Sequence, residues 1–208
     1  MNATVKVWDP LVRLVHWTLA GLFLANFFTE EGDPAHRWIG YATIVLVAIR
    51  IVWGLIGTRH ARFSDWVPSP RRVCAYLRDR LAGRSQRRLG HNPGAAVMIL
   101  TLLAGVLLVG LTGWLLTTDA FWGSGWMEGL HEVLAYGVLG LVGIHVLAAI
   151  GESWHYRENL IAAMIHGRKR ALDPPRTGQP GASEIAEDQS RETGLRLGSR
   201  DANTARRG

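Results

Sequence analysis

Histidine gives this sequence most of its capacity for chemistry. The chain of 208 residues contains eight histidines and a single cysteine, Cys74. One cysteine excludes an intrachain disulfide and every metal-binding motif that needs paired cysteines. Neutral imidazole is a good ligand for iron, zinc, copper and nickel. The histidines are therefore the leading candidate metal ligands, and the surrounding elements decide which of them meet.

Four long apolar stretches are the elements that must position these histidines. They cover residues 11–28, 38–57, 93–117 and 128–151, and each is close to the roughly 20 residues that cross a bilayer as a helix. The composition, 48% apolar and 19% charged, excludes a disordered chain. We predict an all-α membrane protein in which four transmembrane helices form a bundle within membrane lipid.

The distribution of charge predicts how this bundle is oriented. Residues 58–92 carry nine arginines and two aspartates, whereas acids outnumber bases in residues 29–37 and 118–127. Basic loops stay in the cytoplasm. The segment 58–92 and both termini are therefore expected on the cytoplasmic side. The net charge of +6 follows from this topology, so nucleic acid is not expected as a partner.

Two histidines share one face of the fourth apolar stretch. His131 and His145 are 14 residues apart, which is about 1400° of helical rotation, some 40° short of four turns, and about 21 Å along the axis. One imidazole is thus expected near each side of the membrane. His16 begins the first stretch on the inside, and His36 precedes the second stretch on the outside. The natural pairs are His16 with His145 and His36 with His131.

Paired imidazoles in a membrane predict haem iron. Two trans imidazoles fill both axial positions of a haem and leave a centre suited to electron transfer rather than to oxygen chemistry. Two such haems, one near each face, would carry electrons through the bilayer. Two alternatives stay open, a histidine-lined path for divalent metal ions and hydrogen bonds that only hold helices together. His155 is a rival ligand, although it lies about 120° away from the shared face.

Two arginines near the cytoplasmic side are candidate partners for haem propionates. Arg13 and Arg50 both fall inside apolar stretches, and arginine binds carboxylates through two parallel hydrogen bonds. Snorkelling to the membrane surface explains Arg13 equally well, whereas Arg50 is deeper. Arg37, beside His36, is the outer counterpart.

The fourth stretch also contains small residues, and further histidines lie in the predicted loops. The glycines of the fourth stretch are expected either to admit a flat macrocycle or to pack closely against another helix; they are Gly137, Gly140 and Gly143. The loop histidines are expected to be solvated; they are His60, His91 and His166.

The segments outside the spans have simpler interpretations. In residues 70–82, Val73, Leu77 and Leu81 recur at i, i+4 and i+8, which predicts an amphipathic helix on the cytoplasmic leaflet. Residues 171–208 contain almost no large apolar side chains, so we predict a disordered cytoplasmic tail. Residues 1–170 then form the folded domain.

Five strings carry a resemblance to a known family. They are VWDPLVRLVHW around His16, HRWIGY from His36, RIVWGLIG from Arg50, GHNPGA from Gly90, and the run from Leu130 to Arg170 that contains LHEVLAYGVLGLVGIHVLAAIGESWH. Each string is weak alone, but their order and spacing together are specific. Over about residues 5–170 the chain resembles the bacterial cytochrome b561 family, including the b-type cytochrome subunits of nickel–iron hydrogenases.

The resemblance implies a di-haem electron carrier of the bacterial inner membrane. It implies two non-covalent b haems, with His16, His36, His131 and His145 as the axial ligands. Such proteins pass electrons between a redox partner, either a hydrogenase or a c-type cytochrome, and the quinone pool. Some members act on superoxide, so a superoxide:quinone oxidoreductase is the alternative that the resemblance leaves open.

Overall fold

The computed structural model describes residues 4–84 and 87–171 of the chain. All but the first residue of the predicted tail at 171–208 therefore lies outside the described residues. The elements, in chain order, are β1 (Thr4–Lys6), α1 (Pro10–Asn26), α2 (Pro34–Ile56), α3 (Phe63–Trp66), α4 (Pro70–Leu81), α5 (Pro93–Leu115), α6 (Gly125–His155), α7 (Leu160–His166) and β2 (Arg168–Arg170). The protein is thus mostly helical.

Three of the four long helices, α1, α2 and α5, begin at a repeated local signal, a capping side chain followed by proline. Asp9 accepts a hydrogen bond from the backbone N–H of Val12 at 2.9 Å, and Asn92 accepts one from Ala95 at 2.8 Å. Asp33 caps α2 in the same way. The cap satisfies a backbone donor that the first turn leaves free, and proline is tolerated at that position because it has no donor to lose. Each predicted apolar stretch is helical, with ends that differ by a few residues from the prediction.

Three of the helices, α2, α5 and α6, are long and apolar enough to cross a membrane. The remaining long helix, α1, has 17 residues, which corresponds to about 26 Å. The predicted amphipathic helix is confirmed as α4, which spans Pro70–Leu81.

The four long helices converge on one layer of buried apolar side chains. Phe23, Val47, Val106 and Val138, one from each long helix, form this core layer. Helix α5 approaches its neighbours closely because of two glycines. A β-carbon on Gly105 would lie 2.7 Å from Val138, and one on Gly110 would lie 2.5 Å from Ile44. Both distances are too short for any residue with a side chain.

The two short strands close one end of the helices, which we call the strand end. β1 and β2 pair antiparallel, with Val5 opposite Lys169. The buried ammonium of Lys169 donates to the carbonyl oxygens of Arg88 and Leu89 at 3.0 and 2.9 Å. These bonds attach the connection between α4 and α5 to the segment after α7. The connections 27–33 and 116–124 lie at the opposite end, which we call the loop end.

An ion pair reinforces the strand end. Arg87 donates two hydrogen bonds to the carboxylate of Glu158, at 3.1 and 2.7 Å. The backbone N–H of Arg170 donates to the same carboxylate at 2.6 Å. Burial would raise the pKa of Glu158, but these hydrogen bonds outweigh it and hold the pKa below its usual value. The stabilisation is therefore present above the unfolded pKa of about 4.3 and is lost as the pH falls through the lower folded value.

Replacing Glu158 by alanine is expected to lower the free energy of unfolding at pH 7 by about 3 kcal/mol, because the mutation leaves the Arg87 guanidinium buried without its partner. Thermal or denaturant unfolding in detergent, followed by tryptophan fluorescence, measures this. Asp79→Ala is the control, since its pairs with Arg78 and Arg84 are exposed and contribute about 0–1 kcal/mol. Equal losses in the two variants, or a Glu158→Ala effect that persists at low pH, would contradict the role given to Glu158.

Candidate functional site

The structure brings four histidines together as two pairs. The rings of His36 and His131 have their centres 6.2 Å apart, and those of His16 and His145 have theirs 6.4 Å apart. The first pair joins the start of α2 to α6 near the loop end. The second pair joins α1 to α6 nearer the strand end. These are the two pairs that the helical spacing predicts.

Helix α6 supplies one member of each pair from its inward face. Val138, seven residues from both His131 and His145, is 3% exposed and belongs to the core layer. The α6 glycines at 137, 140 and 143 point the other way, about 120–180° around the helix from His131. They are exposed, and a β-carbon on any of them would meet nothing within 4 Å. Our expectation that they admit a macrocycle or pack against another helix is therefore wrong.

The separation within each pair fits a metal ion held between two imidazoles. Bonds from first-row metals to imidazole nitrogen are about 2.0–2.1 Å long, so the ring centres of two trans ligands are roughly 6 Å apart. Both observed separations match this distance. Rings in direct contact can have closer centres, as the 4.6 Å between the edge-to-face rings of His155 and Tyr156 illustrates.

Threonine hydroxyls orient both rings of the His36–His131 pair. The hydroxyl of Thr112 donates to the carbonyl oxygens of Leu108 and Val109, both at 3.0 Å, and lies 2.9 Å from Nδ1 of His131. A hydroxyl has one proton to give. With that proton directed to a helix carbonyl, the oxygen accepts from Nδ1–H of His131, and this tautomer leaves the lone pair of Nε2 for a metal.

Thr29 acts in the same way on His36. Its hydroxyl donates to the carbonyl oxygen of Asn26 at 2.7 Å and lies 3.1 Å from Nδ1 of His36. Nε2 of His36 is therefore the acceptor nitrogen, and the amide of Asn26 donates to it at 3.4 Å. This long contact is the one that a metal at Nε2 would replace. Sequence reasoning missed both threonines, because a threonine hydroxyl within or just after a helix commonly bonds only to the backbone of that helix.

The His16–His145 pair has a different environment. Nδ1 of His16 is buried and has no hydrogen-bond partner among residues 4–84 and 87–171. Trp17 lies against the His16 ring edge-on, with the ring centres 5.0 Å apart. A buried ring nitrogen without a partner costs free energy, so this pair is organised for something that the polypeptide alone does not provide.

The two candidate arginines differ in their surroundings. Arg50 is 8% exposed, and its guanidinium carbon lies 5.1 Å from the ring centre of Phe63 and 6.0 Å from that of Trp66. Arg13 is half-buried and donates from Nη1 to the carbonyl oxygen of Ile165. Arg50 Nη1 and Arg13 Nε are both buried without a partner in the described part of the chain.

The remaining histidines fall into two groups, two that are exposed and two that are buried or partly buried. The rival ligand, His155, is exposed at the end of α6 and contacts Tyr156, and His166 is exposed as expected. The expectation of a solvated His91 is wrong, because its ring lies between those of Trp8 and Trp66, with centres 4.6 and 4.7 Å away. Burial, followed by the charge of Arg50, lowers the pKa of His91 to about 3. His60 is also partly buried, and burial lowers its pKa.

Asp9 links α1 to the end of α2 beside the His16–His145 pair. Besides capping α1, its carboxylate accepts hydrogen bonds from Trp53 Nε1 at 3.0 Å and the Thr58 hydroxyl at 2.6 Å. Burial would raise the pKa of Asp9, but these bonds hold it below its usual value. The Asp–Pro pair at a helix start signals the cap, but the bonds to α2 have no local sequence signal.

Comparison with known proteins identifies the family of this chain. The family model for prokaryotic cytochrome b561 matches residues 7–167. The chain belongs to the prokaryotic cytochrome b561 family. The match includes all four paired histidines, both candidate arginines and the strings that carried the resemblance.

Curated relatives have modest identity over most of the chain. A protein of Rhodobacter capsulatus is 25% identical over 83% of this chain and 84% of its own length. One from Azotobacter vinelandii is 25% identical over 83% and 91%, and one from Cupriavidus necator is 26% identical over 80% and 87%. Each is named a probable Ni/Fe-hydrogenase B-type cytochrome subunit. No solved structure is a significant match.

Membership of this cytochrome b561 family implies haem b, electron transfer and a membrane location. The paired imidazoles fit that cofactor in their separation and in the Nδ1 contacts with Thr29 and Thr112 that orient His36 and His131, with only a long 3.4 Å contact from Asn26 at Nε2 of His36.

Proposed function

We propose that this protein is a di-haem b-type cytochrome that carries electrons across the bacterial inner membrane between a redox partner protein and the quinone pool. His36 and His131 hold one haem, and His16 and His145 hold the other. The folded domain, residues 1–170, is a four-helix transmembrane bundle of α1, α2, α5 and α6, with both termini in the cytoplasm.

One observation carries the proposal. The ring centres within the two histidine pairs are 6.2 and 6.4 Å apart, and one member of each pair lies on the same face of α6. His131 and His145 are about 21 Å apart along α6, so the pairs occupy the two halves of a hydrocarbon core about 30 Å thick. An electron carrier that connects two sides of a membrane needs centres at these two depths.

A haem held by either histidine pair would supply a centre that takes up and gives back one electron. The polypeptide holds the ligands still and excludes water. Thr29 and Thr112 keep a proton on the Nδ1 atoms of their histidines and thereby present Nε2. The core layer of Phe23, Val47, Val106 and Val138 separates the two pairs with apolar side chains.

The charge pattern supports the orientation of the protein. The strand end carries the basic connection 58–92, and basic segments stay in the cytoplasm. The His16–His145 haem is then the inner one, and the His36–His131 haem is the outer one. The α4 helix, with its exposed Leu77 and Leu81, lies on the inner leaflet.

The partner proposal rests on the relatives. Their names make them subunits of nickel–iron hydrogenases, so we propose a hydrogenase-type redox subunit, or a c-type cytochrome, as the electron donor. Acidic residues at the loop end, Glu30, Glu31 and Asp33, would favour a basic partner surface.

The grouping of the histidines favours haem over a metal-transport path. Within residues 4–84 and 87–171, no group of three or more histidine, cysteine, aspartate or glutamate side chains is placed to hold a bare ion. The functional histidines occur in twos, which is the number that a haem requires.

Replacing His145 by alanine is expected to remove the inner haem and leave most of the outer one, because only one member of one pair is lost. The haem content per chain and the reduced-minus-oxidised spectrum of purified protein measure this. His155→Ala is the control on the same helix and is expected to keep both haems. Retention of both haems in His145→Ala, or loss of one in His155→Ala, would contradict the pairing.

Replacing Thr112 by valine is expected to weaken binding of the outer haem roughly 10–100-fold, because the partner that orients the His131 ring is removed without a change in side-chain shape. Transfer of haem to a scavenger protein measures the affinity. Thr101→Val is the matched control, since Thr101 is exposed on the same helix and its hydroxyl bonds only to its own helix backbone, at Val97. Equal rates of haem loss in the two variants would contradict the role of Thr112 in orienting His131.

Quinol added to proteoliposomes that contain the protein is expected to reduce both haems, because the two sites exchange electrons through the bundle. Visible absorption spectra follow the reduction. If dithionite reduces the haems but quinol does not, the quinone link is contradicted and the di-haem assignment is unaffected.

A further inference from the structure

Four buried side-chain nitrogen atoms in the described residues have no hydrogen-bond partner, and two of them, Nη1 of Arg50 and Nδ1 of His91, belong to side chains that contact the Trp66 ring. A buried donor left unsatisfied costs about 1–3 kcal/mol, and more when it is charged. An unpartnered guanidinium nitrogen and an unpartnered imidazole nitrogen beside one ring indicate a ligand group that the polypeptide does not supply.

The position of Arg50 along α2 places it beside the His16–His145 pair. Arg50 follows His36 by 14 residues, as His145 follows His131 on α6. His36 and His131 meet at one depth, and 14 residues add about 21 Å on each helix and return nearly to the same face. Arg50 therefore occupies, on α2, the level that His145 occupies on α6.

Arg50 and His91 both lie against the aromatic ring of Trp66. Trp66 contacts both, with its ring centre 6.0 Å from the Arg50 guanidinium carbon and 4.7 Å from the His91 ring centre. A glycine at 54 is required here, because any β-carbon would collide with the Phe63 ring that lies under Arg50.

The region holds positive charge with its nearby acid already engaged. Asp9 is the carboxylate whose charge Arg50 senses, but Asp9 accepts hydrogen bonds from Val12, Trp53 and Thr58. A guanidinium and a neighbouring neutral imidazole together offer the donors that a carboxylate prefers. Burial among aromatic rings strengthens such a contact, because little water competes.

We propose that Arg50 and His91 form a carboxylate-binding site and that its occupant is a propionate of the haem held by His16 and His145. This assignment rests on the proposed function, since it requires that haem. It gives His91, in the string GHNPGA, a role as a positioning residue that orients the haem through the propionate. It also explains why a histidine in a polar loop is buried between two tryptophans.

Infrared spectroscopy of isotope-labelled haem tests this directly. The full chain is produced in a host that cannot make 5-aminolevulinate and is fed that precursor with ¹³C at its carboxyl carbon, so that the haem propionates are labelled. Redox-difference spectra then show the propionate bands by their isotope shift. The labelled bands that disappear in His145→Ala belong to the inner haem. In His91→Leu and Arg50→Leu, these inner bands are expected to move, whereas His91→Gln, which keeps an N–H donor, is expected to retain the native position.

The controls and the contrary outcomes are distinct. His166→Leu and Arg72→Leu remove an exposed histidine and an exposed arginine near the strand end and are expected to leave the bands unchanged. Loss of the inner haem alone in His91→Leu, with recovery in His91→Gln, also supports the site. Unchanged labelled bands in both leucine variants would overturn it. A shift confined to unlabelled carboxylate bands would show another source of the carboxylate and would likewise overturn it. Wild-type protein with no inner haem would instead refute the proposed function.

Discussion

The rest of this structure depends on the burial of imidazole rings inside an apolar helical bundle. A buried ring nitrogen without a hydrogen-bond partner or metal lowers the stability of the folded protein. In the His36–His131 pair, Nδ1 of each ring lies within hydrogen-bond distance of a threonine hydroxyl, and Nε2 of His36 has a long contact of 3.4 Å with the Asn26 amide. At the His16–His145 pair, a buried nitrogen of His16 has no partner within the described residues. The cytochrome b561 family implies haem b, and the two histidine pairs are the imidazole groups that the described residues offer to it.

The long helices and the histidine pairs could be predicted because both follow from helical periodicity. The four apolar stretches give helices whose ends are correct within a few residues, and three of them start with Asp–Pro or Asn–Pro. A spacing of 14 residues places His131 and His145 on one face regardless of their neighbours. Helical spacing does not say which histidine pairs with His131 and which with His145. The charge pattern predicts these partners, because it assigns each histidine to one side of the membrane.

The sequence predictions were wrong or incomplete where a contact depends on how helices and loops are rotated and packed against one another. The glycines of α6 were assigned to the haem face, although 3.6 residues per turn place Gly140 almost opposite His131. His91 was expected in solvent because its flanking sequence is polar, but Trp8 and Trp66 arrive from distant parts of the chain and cover it. The bonds from Thr112 and Thr29 to the histidines, and the link from Asp9 to Trp53 and Thr58, depend on tertiary packing that no local pattern encodes.

The central claim is that four histidines hold two haems, and the haem content of the purified full-length protein tests it most directly. A pyridine haemochrome assay counts haem b per chain, and low-temperature electron paramagnetic resonance reports the iron ligation. The account predicts about two non-covalent b haems per chain, both low-spin with two axial imidazoles. A single haem, a colourless protein, or a high-spin iron with an open axial position would contradict it.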